Sequence, residues 1–149
     1  MSGFANAAQS PILALIFQAV AWASVAQNNA TSPYTNAYLS LHSADPTNAG
    51  NQSSSEILYT GYTRLPVSRI VGSWTISGSS PTIISNAAQL QFGLCTAGGP
   101  VTASYVGIGW AASGAGILLM VSSVLATPLI INPAVQPTIA IGGAQWGLT

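Results

Sequence analysis

The chain has 149 residues, of which only 3% are charged: two Lys or Arg, two Asp or Glu, and one neutral His. Soluble domains usually carry about 25% charged residues, and two cations cannot form the basic surface that nucleic acids or anionic membranes attract. One Cys excludes an internal disulfide, and 49% hydrophobic residues with zero net charge argue against disorder.

A helix is predicted over about residues 10–27, near the start of one domain, 1–149. Ser10 is a suitable N-cap and Pro11 a suitable first helical residue. Apolar residues then recur at steps of three and four. The predicted apolar face contains Ile12, Leu15, Ile16, Val20 and Trp22. We expect it to be buried against the protein's own sheet or between subunits.

Residues 11–27 also resemble a membrane span and a signal peptide in their apolar character. A span needs ~20 apolar residues, whereas this segment has about 17 and contains Gln18. No Lys or Arg flanks it, and the first ten residues lack the positive charge of a signal peptide. We therefore expect a retained helix and no membrane partner.

Short strands are predicted from residue 34 to residue 149, because Gly, Pro, Asn and Ser clusters recur at intervals of about 8–15 residues. Such spacing is typical of a β-sandwich, of which the jelly roll is one form. Thr127-Pro128 is interpreted as a turn, and residues 44–55 as an exposed, flexible loop. The predicted strands lie within 38–41, 74–76, 90–94, 106–110, 117–125, 129–131 and 138–141.

Few side chains are available for catalysis. Asp45 before Pro46 is typical of a turn, and His42 ends a predicted strand, where it would serve as a structural hydrogen-bonding residue. Asp45 and Glu56 are the only acids, so a pair for glycoside hydrolysis would leave no acid to position a sugar. Cys95 has no basic neighbour and is expected to be an inert core residue.

We accordingly expect no enzymatic activity, no metal and no cofactor. The glycines at 107 and 109 mimic a dinucleotide fingerprint, but the acidic residue about 20 positions further on is missing. The two arginines have two alternative roles. Glu56 and Arg64 are placed to pair across a hairpin, or Arg64 or Arg69 makes a bidentate contact with a partner subunit.

An ordered series of motifs runs through the chain: YLSLHSADP at 38–46, SEI at 55–57, YTGYTR at 59–64, NAA at 86–88 and ASGAGILL at 112–119. In order and spacing it resembles small virion structural proteins of tailed bacteriophages, which carry labels such as tail fibre, minor structural or decoration protein. The resemblance covers residues 34–125 and implies a virion structural role without catalysis.

Composition and resemblance together favour a homo-oligomer, because an uncharged surface is poorly protected against self-association. The leading hypothesis is a capsid decoration (cement) protein on the capsid surface, with the major capsid protein and its own copies as partners. One alternative is a tail fibre or tail-adaptor subunit that contacts tail proteins. Another is a glycan-binding module that uses Tyr34, Tyr59, Tyr62 and Trp74. The candidate interaction residues are Ile12, Leu15, Ile16, Val20, Trp22, Arg64 and Arg69.

Overall fold

The strands of this protein pair in antiparallel register behind a single N-terminal helix. A computed structural model describes residues 5–79 and 81–148, without the side chains of 121–123; residues 1–4, 80 and 149 of the predicted domain lie outside it. In chain order the described elements are α1 (Asn6–Gln18), β1 (Asn36–His42), β2 (Leu65–Ser68), β3 (Trp74–Ser77), β4 (Thr82–Asn86), β5 (Leu90–Gln91), β6 (Val101–Gly109), β7 (Leu118–Ile131), β8 (Thr138–Ile139) and β9 (Gln145–Leu148).

Three sheets share one hydrophobic core. The largest has the order β2-β1-β6-β7, the second β3-β4-β9, and a short ladder joins β5 to β8. Leu39 lies opposite Ile108 and Leu41 opposite Val106, and all four side chains are fully buried. Successive side chains of a strand point to opposite faces, so this register directs one face of β1 and β6 into the core. The mainly β sandwich with one helix confirms the predicted fold class.

The helix lies closer to the N-terminus than predicted. It covers Asn6–Gln18 instead of 10–27, so Pro11 is inside the helix and Ser10 is not its cap. The helix ends because Ala19 adopts a left-handed conformation, with φ 55°, and the N–H of Val20 donates to Ala14 O at 3.1 Å. This geometry usually requires Gly. The apolar pattern beyond Gln18 therefore did not reveal the end of the helix.

The buried stripe of α1 also differs from the predicted one. Gln9, Leu13 and Phe17 face the protein, and the ring centroid of Phe17 lies 5.2 Å from that of Trp74. Gln9 is buried because its Oε1 accepts a hydrogen bond from Thr82 N at 3.0 Å. On the predicted face Ile12, Leu15, Ile16 and Trp22 are half-buried and Val20 is 41% exposed. Burial of that face between subunits stays a prediction.

The turn predicted at Thr127-Pro128 is wrong, since both residues lie within the continuous strand β7. Proline lacks a ladder N–H and is tolerated on edge strands and at bulges. β7 is the last strand of its sheet, and its pairing with β6 shifts register between Ala103 and Tyr105. The two predicted strands are therefore one irregular edge strand.

Replacing Phe17 by Ala tests the contact between helix and sheet. Phe17 is fully buried, so we expect Phe17→Ala to lower the free energy of unfolding by about 3–5 kcal/mol. Urea unfolding followed by circular dichroism measures the change. Val25→Ala is the control, because Val25 is 64% exposed and its loss should change stability by about 0.5 kcal/mol or less. Equal stabilities of the two variants would contradict the described packing of α1.

Candidate functional site

A buried ion pair holds the predicted partners Glu56 and Arg64 together. Arg64 Nη2 lies 2.7 Å from Glu56 Oε2, and Arg64 Nε donates to Oε1 at 2.8 Å. The two side chains are only 2% and 10% exposed. Tyr62 joins the pair by donating its hydroxyl proton to Glu56 Oε1 at 2.9 Å, and burial raises the pKa of Tyr62. The predicted Glu56–Arg64 pairing is confirmed.

Arg64 also fastens the glycine-rich turn that precedes β7. Its Nη1 donates to Ala111 O at 3.1 Å and its Nη2 to Gly114 O at 2.7 Å. Planar guanidinium donors suit several acceptors held at fixed angles, which a lysine would not satisfy. Within the protomer, Arg64 therefore has the structural role of tying the segment around Glu56 to this turn.

His42 is fully buried and has a structural place at the end of β1. Its Nδ1 lies 2.8 Å from Ser54 O, and its Nε2 lies 2.8 Å from Ser40 Oγ. A carbonyl oxygen only accepts, so Nδ1 carries the proton and Nε2 accepts the Ser40 hydroxyl. Burial lowers the pKa of His42, partly opposed by the Ser54 carbonyl. The Ser–His pair has no exposed surface at which a substrate could react.

The segment 44–55 was predicted to be an exposed, flexible loop, and this is wrong at Gln52. Gln52 is fully buried; its Oε1 accepts from Ala111 N at 3.0 Å, and its Nε2 donates to Tyr38 O at 3.3 Å. A Cβ at Gly107 would lie 2.5 Å from His42 Nε2, and one at Gly109 would collide with Gln52. Those glycines therefore admit the loop to the outer face of the sheet.

The other groups with reactive side chains have structural positions as well. Asp45 Oδ1 accepts from Thr47 N at 2.9 Å, as expected for a turn before Pro46. Cys95 is fully buried in the core, as predicted. Among residues 5–79 and 81–148, no group of three or more His, Cys, Asp or Glu side chains could hold a metal ion. In the same residues no helix is long and apolar enough to cross a membrane.

Arg69 organises a second cluster, at the C-terminal end of α1. Its Nη2 donates to Leu15 O at 3.0 Å, its Nε to Ile16 O, and its Nη1 to Tyr34 O at 2.6 Å. Its Cζ lies 5.2 Å from the ring centroid of Trp110, a cation–π distance. Arg69 is only 8% exposed, and this burial lowers its pKa.

A groove of about 310 Å³ opens beside this cluster. Tyr34 and Trp110 stack along it, with ring centroids 5.2 Å apart and planes at 3°. Three predicted interaction residues meet here. The groove is lined by Leu15, Ile16, Gln27, Asn28, Ala30, Ser32, Pro33, Tyr34, Arg69 and Trp110. Arg64 lies in the other cluster. Trp110 and Asn28 were not predicted, because sequence spacing does not show that they meet Arg69.

The aromatic residues proposed for glycan binding do not form one surface. Tyr34 is 60% exposed, but Tyr59 and Trp74 belong to the core and Tyr62 packs against it. Tyr59 donates its hydroxyl proton to Gly93 O at 2.8 Å, and burial raises the pKa of Tyr59 to about 12. The prediction of exposed rings at Tyr59, Tyr62 and Trp74 is therefore wrong, because the core absorbs large aromatic rings.

Comparison with known proteins identifies the family. Residues 3–147 match the family model described as podophage GP4 fiber I protein gp80. The chain belongs to this family. The match supports the predicted phage virion structural class, and a fibre family implies a place in the virion. No curated protein matches the chain significantly.

The buried His42 predicts how stability changes with pH. Its pKa in the folded protein is lower than the ordinary value of 6.5, so the unfolded chain binds the proton more readily. The stability contributed by neutral His42 is present above pH 6.5 and is lost as the pH falls below it, with a slope of at most about 1.4 kcal/mol per pH unit. Urea unfolding between about pH 7.5 and 5.5 measures this slope.

His42→Gln is the matched control for that experiment, because glutamine does not titrate. The chain contains one His, so the slope over this interval should become nearly flat in the variant even if its stability at neutral pH is lower. An equal slope in both proteins would show that His42 is not responsible.

Proposed function

We propose that the protein is a non-catalytic structural subunit of a phage tail fibre. The observation that carries this proposal is the family match over residues 3–147, nearly the whole chain, to a podophage fiber protein. The match favours the tail fibre alternative over the capsid decoration role, which composition alone had favoured.

The positions of the chemically active groups support a structural role. His42, Cys95 and Arg64 are buried, and each makes hydrogen bonds within the protein. Glu56 is bound by Arg64 and Tyr62. Catalysis requires groups within hydrogen-bonding reach of a substrate, and these groups are instead used to join loops to strands.

The edge strand β7 is the proposed contact between copies of the chain. It has 14 residues and contains no charge, whereas the opposite edge strand, β2, has four residues including Pro66. Soluble proteins protect edges with short strands, prolines and charges. On β7 Val124 is 66% exposed and Ile130 64% exposed. A second copy suits this surface because it buries no charge against it.

Locating the protein in purified virions tests the fibre role. We expect immunogold electron microscopy with antibodies against the chain to label the tail. Quantitative mass spectrometry should give a copy number of a few per cent of the major capsid protein, because a tail part is present in far fewer copies than a lattice protein. Labelling over the head with a near-stoichiometric ratio would instead establish a capsid decoration protein, and absence from virions would exclude both roles.

Lysine substitutions on β7 test the contact between copies. We expect Val124→Lys with Ile130→Lys to shift the protein from oligomer to monomer in sedimentation equilibrium, because association would bury two charges. Leu58→Lys is the control; Leu58 is 72% exposed and lies outside β7. Circular dichroism checks that all variants fold. An unchanged oligomer in the double variant would place the contact elsewhere.

A further inference from the structure

The groove beside Arg69 has the features of a small-ligand site. Its volume of about 310 Å³ lies at the lower end for such sites, which combine apolar and aromatic walls with a few polar groups. Tyr34 and Trp110 form a stacked pair along one wall, and Tyr34 keeps 60% of its surface exposed. An exposed aromatic face suits a ligand with a flat apolar surface of its own.

The opposite wall supplies polar groups with no partner in the protein. Among the described residues, no hydrogen bond joins the main chain of residues 28–33 to another group. Its N–H and C=O groups therefore alternate between donors and acceptors along the groove, with the hydroxyl of Ser32 nearby. Hydroxyl groups both donate and accept, so a polyhydroxylated ligand matches this mixture better than one that only accepts.

The state of Arg69 determines the charge of the ligand. Its Nε and both Nη atoms already donate to Ile16 O, Leu15 O and Tyr34 O, and both Nη atoms lie 3.5 Å from Asn28 Oδ1. A carboxylate or phosphate group is bound strongly by guanidinium donors that are free to turn towards it. The only other Lys or Arg of the chain is Arg64, which is occupied by Glu56.

We propose that this groove binds a neutral saccharide, with a sugar ring stacked on Tyr34 and its hydroxyl groups bonded to the segment 28–33. Sugars have one face of C–H groups and a rim of hydroxyls, which matches the two walls. A peptide strand fits less well, because the segment 28–33 is not a strand and contains Pro33. The proposal stands on the groove alone and does not depend on where the protein lies in the virion.

Saturation-transfer NMR with the full-length protein tests the proposal. The probes are methyl glycosides of neutral hexoses, 6-deoxyhexoses and N-acetylhexosamines, with methyl glucuronide as the acidic comparison. We expect at least one neutral glycoside to receive saturation on its ring C–H protons, with a Kd on the order of 1 mM for one ring. The glucuronide should bind no more tightly.

Two substitutions at the same position separate stacking from folding. Tyr34→Phe keeps the ring and should retain binding within about threefold, whereas Tyr34→Ala should weaken it about tenfold or more. Tyr34 is 60% exposed, so both variants should fold, and circular dichroism checks this. The proposal is overturned if no neutral glycoside binds, if the glucuronide binds best, or if Tyr34→Ala binds as the native protein does. It is also overturned if Tyr34→Ala dissociates an oligomer, because the groove would then be a subunit contact.

Discussion

The hydrogen bonds of Arg69 to main-chain carbonyls are the constraint on which this end of the molecule depends. If α1 continued past Gln18, Leu15 O and Ile16 O would accept from the N–H groups of residues 19 and 20. Arg69 takes both carbonyls instead and adds Tyr34 O. One side chain thereby joins the end of the helix, the start of β1 and the end of β2. The same bonds place Trp110 and Tyr34 beside the groove.

The strands could be predicted from sequence, but where they end and which loops cover them could not. Leu39, Leu41, Val106 and Ile108 alternate with small or polar residues, and the period of two alone predicts a buried face. Ala19 carries no such signal, because the end of the helix is set by an arginine more than 50 positions away. Gln52 was also missed, since a polar residue in a polar stretch becomes buried only when Tyr38 and Ala111 supply its hydrogen bonds.

The two clusters differ in how visible they are in the sequence. Glu56 and Arg64 were predictable partners because charges are so few that opposite ones eight positions apart have little choice. Arg69 has no carboxylate, and its partners are carbonyl groups, which every residue carries. Trp110 was correctly placed on the face of Val106 and Ile108, yet its contact with Tyr34 spans two distant segments. Contacts that depend on tertiary geometry alone leave no pattern along the chain.

The burial of both guanidinium groups has a consequence for how the assembled particle behaves in an electric field. Arg64 is neutralised by Glu56, and Arg69 lies under main-chain carbonyls and the Trp110 ring. The exterior therefore presents almost no fixed charge. A virion part built from such subunits contributes little to the electrophoretic mobility of the phage, and an ion-exchange matrix offers it no handle. Changes in ionic strength, which weaken contacts between exposed charges, leave this exterior largely indifferent to the salinity of the medium.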